Sequence, residues 1–305
     1  MAKVRLTSFN LFTFACPGLG VFKTKACIRE SFFDANQERQ NFSKEALKAV
    51  RERYLKEAST DKYATSDDMN LREIEISAIS KHLFDGLKVL DIGCGNGYST
   101  TSLAAIYESN FLGLDLSESM IEAAVQRSKG LKLNGSIQFR VANVLDMQIE
   151  PESFDVVITE RLLINLPTWE DQMTAIKSIY SILKPNGRFL MMEATLQGVD
   201  KLNTLRQKVG LNPIAHSTKK NWWINRFNEE RIGKFLGEYF HIEKIQKFGM
   251  YFFISRVIHP LIVAPEEPRF DSKINEVARK IALELDTDYD QLGHSAFFVL
   301  RKTQK

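Results

Sequence analysis

The sequence feature that most constrains this chain is the stretch LKVLDIGCGNG at residues 87–97. Its short apolar beginning is typical of a buried strand in a parallel sheet. The acidic residue Asp91 ends that run, and three glycines follow at alternate positions, Gly93, Gly95 and Gly97. Glycines directly after a strand allow a tight turn and let a ligand approach the main chain with no Cβ in the way. The pattern therefore predicts a ligand site made of backbone amides beside a carboxylate.

The spacing of the glycines bears on which ligand binds. A dinucleotide-binding fold has G-x-G-x-x-G, with the third glycine inside the following helix. Here the pattern is G-x-G-x-G, and Tyr98 stands where that third glycine would be. We expect a helix over residues 98–107, with its N-terminal amides facing the turn. A nicotinamide dinucleotide site and a turn without any ligand remain open at this point.

Length and composition limit the classes of protein that this chain can belong to. With 305 residues, 44% of them hydrophobic, it can form one large α/β domain with an appended region. The net charge of +3 is too small to indicate a nucleic-acid binder, which needs clustered basic residues. An odd set of cysteines, Cys16, Cys27 and Cys94, favours a reducing, cytoplasmic location. No apolar run approaches the ~20 residues that cross a bilayer.

The N-terminal region has a composition of its own. Residues 1–29 hold five basic residues and no acidic ones (Lys3, Arg5, Lys23, Lys25 and Arg29). Such a leader is either an organelle-targeting or membrane-surface segment or a folded or disordered extension. Because polar residues interrupt its apolar part, we favour the extension. We divide the chain into a partly helical extension, 1–62, and a main domain, 63–305, and predict helices from Ser43 to about residue 58 and over 67–84.

Acidic and amide side chains follow the next two predicted strands. Strand 111–115 ends in Asp115, about 20 residues after Gly93, where a βαβ unit delivers its second strand end. A carboxylate there can accept hydrogen bonds from both hydroxyls of a ribose. Ser117 is expected to cap a helix that buries Met120. Strand 137–141 alternates apolar and polar residues like an edge strand, and Asn143 follows it.

The second half of the chain continues the alternation of strands and helices. Strands are predicted over 154–159, 188–192, 242–248 and 295–301, and helices after Thr168, after Asn228 and over 272–285. The turn LKPNG precedes the strand at 188–192. Two insertions interrupt the order: a basic, aromatic segment at 196–226, and an aromatic segment at 249–271. The first is either a lid over an acceptor or a helix with a solvated lysine face.

Together these motifs resemble those of class I S-adenosylmethionine (SAM)-dependent methyltransferases over residues of about 63–301. The resemblance rests on residues 91–97, on Asp115, on FDVV at 154–157 and on LKPNG at 183–187. It implies a doubly wound α/β fold with a seven-stranded sheet in the order 3-2-1-4-5-7-6 and an antiparallel last strand. The helices before the first strand would lie over the cofactor cleft or simply cover one face of the sheet. The insertions would follow strands five and six.

The resemblance also implies which residues bind the cofactor SAM, and it implies no metal. Asn143 replaces the aspartate that usually binds the adenine amino group, and its carbonyl oxygen can still accept a hydrogen bond. Met120 either touches the adenine or belongs to the core, and Cys94 fills the turn without acting as a nucleophile. The implied cofactor-binding residues are Asp91, Gly93, Cys94, Gly95, Gly97, Asp115, Leu116, Met120, Asn143, Val144 and Glu160.

The chemistry implied is in-line transfer of a methyl group to a small-molecule or sugar hydroxyl. A hydroxyl nucleophile needs a base, and the candidates are Glu160, beyond the fourth strand, and His216, in the first insertion. The segments ERLLINLP (160–167) and FISRVIHPLIVAPEEPRF (253–270) are similar to those of methyltransferases found with cell-surface glycan biosynthesis. The first is not the Asn-Pro-Pro-Tyr type of element, which argues against nucleic-acid bases as acceptors.

Two other functions remain as alternatives. One is a methyltransferase-like scaffold that binds the cofactor without turnover. The other is a nicotinamide-dependent oxidoreductase, against which Tyr98 and the antiparallel last strand argue. The sequence leaves the oligomeric state and the acceptor open.

Overall fold

The computed structural model describes residues 44–46, 48–50, 52–53, 66–219, 221–285 and 291–303. Our predictions for the basic leader and for the Ser43 cap lie outside these residues. The described residues between 44 and 53 are helical and belong to one compact unit with the sheet, Ser43–Lys305. The division of the chain at residues 62 and 63 stays a prediction.

A seven-stranded sheet forms the centre of the domain, in the order β3-β2-β1-β4-β5-β7-β6. Strands β1 to β5 are parallel to one another, whereas β7 is antiparallel to both β5 and β6. This topology confirms the predicted doubly wound fold and the edge position of the strand ending at Val141. The strands are β1 Lys88–Ile92, β2 Asn110–Asp115, β3 Ser136–Val141, β4 Phe154–Glu160, β5 Leu183–Ala194, β6 Phe240–Lys247 and β7 Ser295–Lys302.

Helices cover both faces of the sheet, and the predicted caps begin three of them. The side-chain oxygens of Ser117, Thr168 and Asn228 each accept a hydrogen bond from the amide three residues later, at 3.4, 3.0 and 3.0 Å. The helices are α1 Met69–Ser80, α2 Tyr98–Ile106, α3 Glu118–Ser128, α4 Trp169–Ile182, α5 Leu196–Lys208, α6 Glu229–Gly237, α7 Gly249–Phe253, the π-helix Ile254–Ile258, α8 His259–Val263 and α9 Lys273–Glu284.

Alternate residues along the strands supply two apolar cores, one on each face. From β1, Leu90 and Ile92 join the core under α4 and α6, whereas Val89 joins the core under α1, α2 and α7. This division follows from the two-residue period of a strand. Within the described residues, no helix is long and apolar enough to cross a membrane.

Both insertions are more regular than their sequences indicate. Helix α5 occupies the first half of segment 196–226, and α7, the π-helix and α8 occupy most of 249–271. In α5 only a narrow stripe, with Val199 and Leu202, is buried. Because basic residues occupy its other faces, this narrow apolar stripe is not evident in the sequence. Of the two alternatives for the first insertion, the helix with a solvated lysine face is the one found in this half of the segment.

Substitution of Gly97 tests how tightly the residues behind the glycine turn are packed. Its φ is 72°, and a Cβ there would lie 2.9 Å from Ala124 Cβ and 2.9 Å from Phe139 Cζ. We expect Gly97→Ala to lower the free energy of unfolding by about 2–4 kcal/mol, through backbone strain and overpacking. Gly95→Ala, which has φ 54° and no atom within 4 Å of its Cβ, should cost about 1–2 kcal/mol.

Urea denaturation measures both effects. The control is Gly233→Ala inside α6, where a Cβ meets no atom within 4 Å and the change should stabilise by up to about 1 kcal/mol. Equal losses for the Gly97 and Gly95 variants would contradict the packing argument.

Candidate active site

The glycine turn after β1 is held by the carboxyl end of β2. The amides of Gly93 and Cys94 donate to the carbonyl oxygen of Leu114, at 2.7 and 2.9 Å. The amide of Gly95 donates to Asp115 Oδ2 at 2.9 Å. Because Gly93 and Gly95 have φ values of 77° and 54°, the turn adopts a conformation that other residues rarely take. The neighbouring strand thus fixes where the bare main chain lies.

A cleft of about 210 Å³ opens at the carboxyl ends of β1, β2 and β4. This is the switch point of the doubly wound sheet, where ligands of such folds bind. The predicted cofactor residues that line it are Gly93, Gly95, Asp115, Leu116, Met120, Asn143, Val144 and Glu160. Most of the predicted cofactor residues therefore line the same cleft.

Three predicted cofactor residues are not among those that line the cleft, and the structure places them behind the turn. Asp91 is buried, and its Oδ2 accepts a hydrogen bond from Thr100 Oγ1 at 2.6 Å. Cys94 is buried too, and its sulfur lies 3.0 Å from where a Cβ of Gly113 would be. Gly97 packs against α3 and β3. Their contribution is to support the turn.

Burial determines the electrostatics of the two carboxylates near the turn. It raises the pKa of Asp91 to about 6, while the Thr100 hydroxyl and the charge of Arg72 act in the opposite direction. Burial also raises the pKa of Asp115, opposed by hydrogen bonds from backbone amides, including those of Ser117 and Gly95. Buried carboxylates of this kind are stabilised by a ligand that brings hydroxyl donors or positive charge.

Glu160 ends β4 and lines the cleft with one unengaged oxygen. Its Oε2 contacts the Arg72 guanidinium and accepts a hydrogen bond from Ser99 Oγ at 3.3 Å. Its Oε1 is buried and has no hydrogen-bond partner among the described residues. A buried acceptor without a donor is costly, so this oxygen marks a position for a donor on a ligand.

A buried ion-pair network anchors the Glu160 end of the cleft to α1 and β7. Glu75 Oε2 accepts from Arg72 Nη1 at 2.7 Å and from Arg161 Nη1 at 2.6 Å, and its Oε1 accepts from Ser295 Oγ at 2.7 Å. Burial alone would raise the pKa of Glu75, but the charges of Arg161 and Arg72 lower it to about 2. Sequence reasoning missed this network, of which Arg161 lines the cleft.

A second missed carboxylate, Glu193 at the end of β5, holds the loop that follows β4. Its Oε1 accepts from the amides of Leu162 and Leu163, at 3.1 and 2.9 Å, and its Oε2 accepts from the amide of Ile164 at 3.3 Å. Burial raises the pKa of Glu193 to about 7, against the effect of these amides. The loop supplies further cleft residues, Leu162, Ile164, Asn165 and Leu166.

Residues from two distant segments line the cleft on the outer side of this loop. Val50 and Arg53 come from the N-terminal helical residues, and Asn221 and Ile224 come from the end of the first insertion. Trp223 packs with Val50, and its indole Nε1 donates to Asn165 Oδ1 at 3.0 Å. We left open whether the helices before β1 lie over the cleft or cover one face of the sheet. For the helical residues between 44 and 53, these contacts support the position over the cleft.

His216, our other candidate base, is not brought to the cleft. Its Nε2 lies 3.0 Å from Asp200 Oδ1, and both side chains are exposed. The loop that carries it is tied to α5, because the amide of Ile214 donates to Asn203 Oδ1 at 2.7 Å. His216 thus does not line the described cleft, and its role as a base stays a prediction. Within the described ranges, His, Cys, Asp and Glu side chains form no group that could hold a metal ion.

Comparison with known proteins agrees with this geometry. Residues 83–259, more than half of the chain, match a family model described as a methyltransferase domain. The chain belongs to this methyltransferase family. The assignment confirms the predicted class I fold, the prediction of an enzyme and SAM as the cofactor.

Two curated relatives each match about a third of the chain. Demethylmenaquinone methyltransferase of Lactococcus lactis is 36% identical over 112 residues, which are 36% of this chain and 43% of that protein. Phosphoethanolamine N-methyltransferase 1 of Triticum aestivum is 31% identical over 108 residues, 35% of this chain and 21% of that protein. The chain thus spans less than half the length of either relative.

A solved structure extends the likeness to most of the fold. The crystal structure of the N-methyltransferase NodS from Bradyrhizobium japonicum, in complex with S-adenosylhomocysteine, has a TM-score of 0.50 and 16% identity to this chain. The alignment covers 83% of this chain and 98% of that one. At this identity the likeness concerns the fold alone.

The cleft residues fit the cofactor of this family. Gly95 leaves open space where a side chain would stand, so a ligand can reach the main chain. Asp115 offers acceptors for hydroxyl groups at one end, and Glu160 Oε1 offers an unsatisfied acceptor at the other. The hydroxyl groups of a nucleoside complement the Asp115 end, and a hydrogen-bond donor complements the Glu160 end.

The ion-pair network generates a prediction about stability and pH. We expect Glu75→Gln to lower the free energy of unfolding by about 3 kcal/mol at pH 7, because it leaves the buried guanidinium of Arg72 and the partly buried one of Arg161 short of negative charge. The folded pKa of Glu75, about 2, lies below the usual 4.5, so the stabilisation is complete above pH 4.5 and is lost as the pH falls toward 2.

Urea denaturation of wild type and variant between pH 3 and 7 measures that difference. It should be largest above about pH 5 and shrink below it. The control is Glu73→Gln, on the same helix but partly exposed. A difference that is independent of pH would contradict the role given to Glu75.

Proposed function

We propose that this chain transfers a methyl group from SAM to a small-molecule acceptor, with SAM bound in the cleft described above. The observation that carries the proposal is the single cleft that joins the bare turn at Gly93 and Gly95 to two carboxylates, Asp115 and Glu160. Its lining combines backbone amides, hydroxyl acceptors and one unsatisfied carboxylate oxygen. That combination suits a nucleoside with a positively charged amino-acid tail.

Each part of the cleft has a distinct task in this proposal. Asp115 accepts hydrogen bonds from the ribose hydroxyls, and Asn143 and Met120 border the adenine. The glycine turn holds the amino-acid tail. SAM supplies a methyl group on a sulfonium, an activated leaving group. The protein's main contribution is therefore to hold the nucleophile in line with the methyl carbon and to exclude water.

The acceptor proposed is a hydroxyl of a small molecule or sugar, and Glu160 is the proposed catalytic residue. Among the described residues that line the cleft, Asp115 and Glu160 are the carboxylates, and Asp115 already receives two amides. Arg72 and Ser99 orient Glu160 so that Oε1 can accept a proton or a hydrogen bond from the nucleophile. The similarity to glycan-associated methyltransferases and the cytoplasmic location both remain predictions.

Cofactor binding is tested with carboxylate variants. Asp115→Ala and Asp91→Ala should each weaken SAM binding by about tenfold or more, because each removes a charged acceptor or the support of the turn. Isothermal titration of the purified protein with SAM and, separately, with NADH measures the effect. Asp146→Ala, an exposed carboxylate after β3, is the matched control and should bind SAM like wild type. Unchanged SAM affinity in both test variants would refute the site.

Turnover is tested at Glu160. Glu160→Gln keeps the shape of the side chain but removes the base, so methyl transfer should fall by about 10²–10⁴-fold while SAM affinity changes little. Transfer is measured by mass spectrometry with deuterated-methyl SAM and a small-molecule extract. A SAM affinity that falls as much as the rate would reassign Glu160 to cofactor binding. Binding of SAM with no labelled product from any extract would favour the scaffold.

A further inference from the structure

Arg226 stands at the same edge of the sheet as the active site, in a position fixed by its neighbours. The amide of Asn225 donates to the Ile164 carbonyl at 2.8 Å, and the amide of Phe227 donates to the Ala194 carbonyl at 3.1 Å. Ile164 lines the cleft, and Ala194 ends β5. These bonds pin Arg226 between the cleft loop and the end of β5.

Unlike the other arginines at this edge of the sheet, Arg226 has no carboxylate partner among the described residues. Arg72 and Arg161 pair with Glu75, and Arg256 pairs with Asp68. Arg226 is half-buried, no carboxylate in the described part of the chain pairs with it, and its buried Nε has no hydrogen-bond partner there. Burial lowers the pKa of Arg226 without an opposing carboxylate.

The surroundings of Arg226 are electropositive. Burial and the charges of Arg256, Arg226 and Arg161 together lower the pKa of His294 to about 3, and Glu75 alone among the main influences opposes them. Three guanidinium groups therefore act on one neutral imidazole. The chain is connected here as well, since the Thr195 amide donates to the His294 carbonyl at 2.9 Å. A buried charge in such a field is stabilised by an anion.

We propose that the methyl acceptor is an anion, a small molecule with a phosphate or carboxylate group, and that Arg226 binds this group at the edge of the sheet where Arg161 and Ile164 line the cleft. The inference rests on the proposed function and names the substrate class of that same site. Arginine suits the task because its planar fork donates two parallel hydrogen bonds to either anion. Arg226 is thus a specificity-determining residue, and it takes no part in the chemistry of transfer.

The first test measures anion binding directly. The full-length protein is saturated with S-adenosylhomocysteine and titrated with inorganic phosphate and, separately, with acetate, followed by the fluorescence of the nearby Trp222 and Trp223. Arg226→Gln should weaken the affinity for at least one of these anions by about tenfold or more. Lys219→Gln, which removes an exposed charge from the same loop, should bind them like wild type. Equal affinity in wild type and Arg226→Gln, or no binding to wild type, would overturn the inference.

The second test uses the products formed from an extract with deuterated-methyl SAM. Labelled product should be retained on an anion exchanger, and Arg226→Gln should raise KM about tenfold or more with a smaller change in kcat. Arg226→Lys should restore part of the loss. Phosphatase treatment separates the two sources, because only a phosphate ester loses its retention. Labelled product in the unretained fraction alone would contradict an anionic acceptor, whereas failure to bind S-adenosylhomocysteine would contradict the proposed function itself.

Discussion

The hydrogen bond from the Gly95 amide to the Asp115 carboxylate is the interaction on which the site depends. It joins the turn after β1 to the end of β2 at 2.9 Å, so that bare main chain and carboxylate form one surface. The turn can approach this closely because Gly93 and Gly95 take left-handed backbone angles. The position of Gly95 beside Asp115 thus follows from the pairing of two parallel strands.

The Glu160 end of the cleft depends on charged side chains whose burial is energetically unfavourable unless they pair with one another. Arg72, Glu75, Glu160 and Arg161 come from α1 and from the end of β4, and Ser295 of β7 completes the network. Each ion alone would destabilise the fold, and together they compensate one another. The network holds Glu160 Oε2 and leaves the buried Oε1 without a hydrogen-bond partner among the described residues.

The sequence was sufficient to predict the fold and the residues that line the cleft at the ends of β1 and β2, because those features are local. A strand, a glycine turn and an acid at the next strand end lie within residues 87–115. The missed residues act through contacts between segments that are distant in the chain. Arg72 and Glu75 have the spacing of an ordinary solvated helix face, and only the packing of α1 on the sheet buries them. Glu193 reads as the end of a strand, although it holds the loop after β4. A basic, aromatic composition does not fix the direction of a loop, so the sequence did not indicate that His216 lies beside Asp200 and outside the lining of the cleft.

The most direct measurement for this account is a crystal structure of the protein with S-adenosylhomocysteine. The account predicts that the ribose hydroxyls lie within hydrogen-bond distance of Asp115, with the amino-acid tail against the turn of Gly93 and Gly95. Binding of the ligand elsewhere, or ribose hydroxyls beyond hydrogen-bond distance of Asp115, would contradict it.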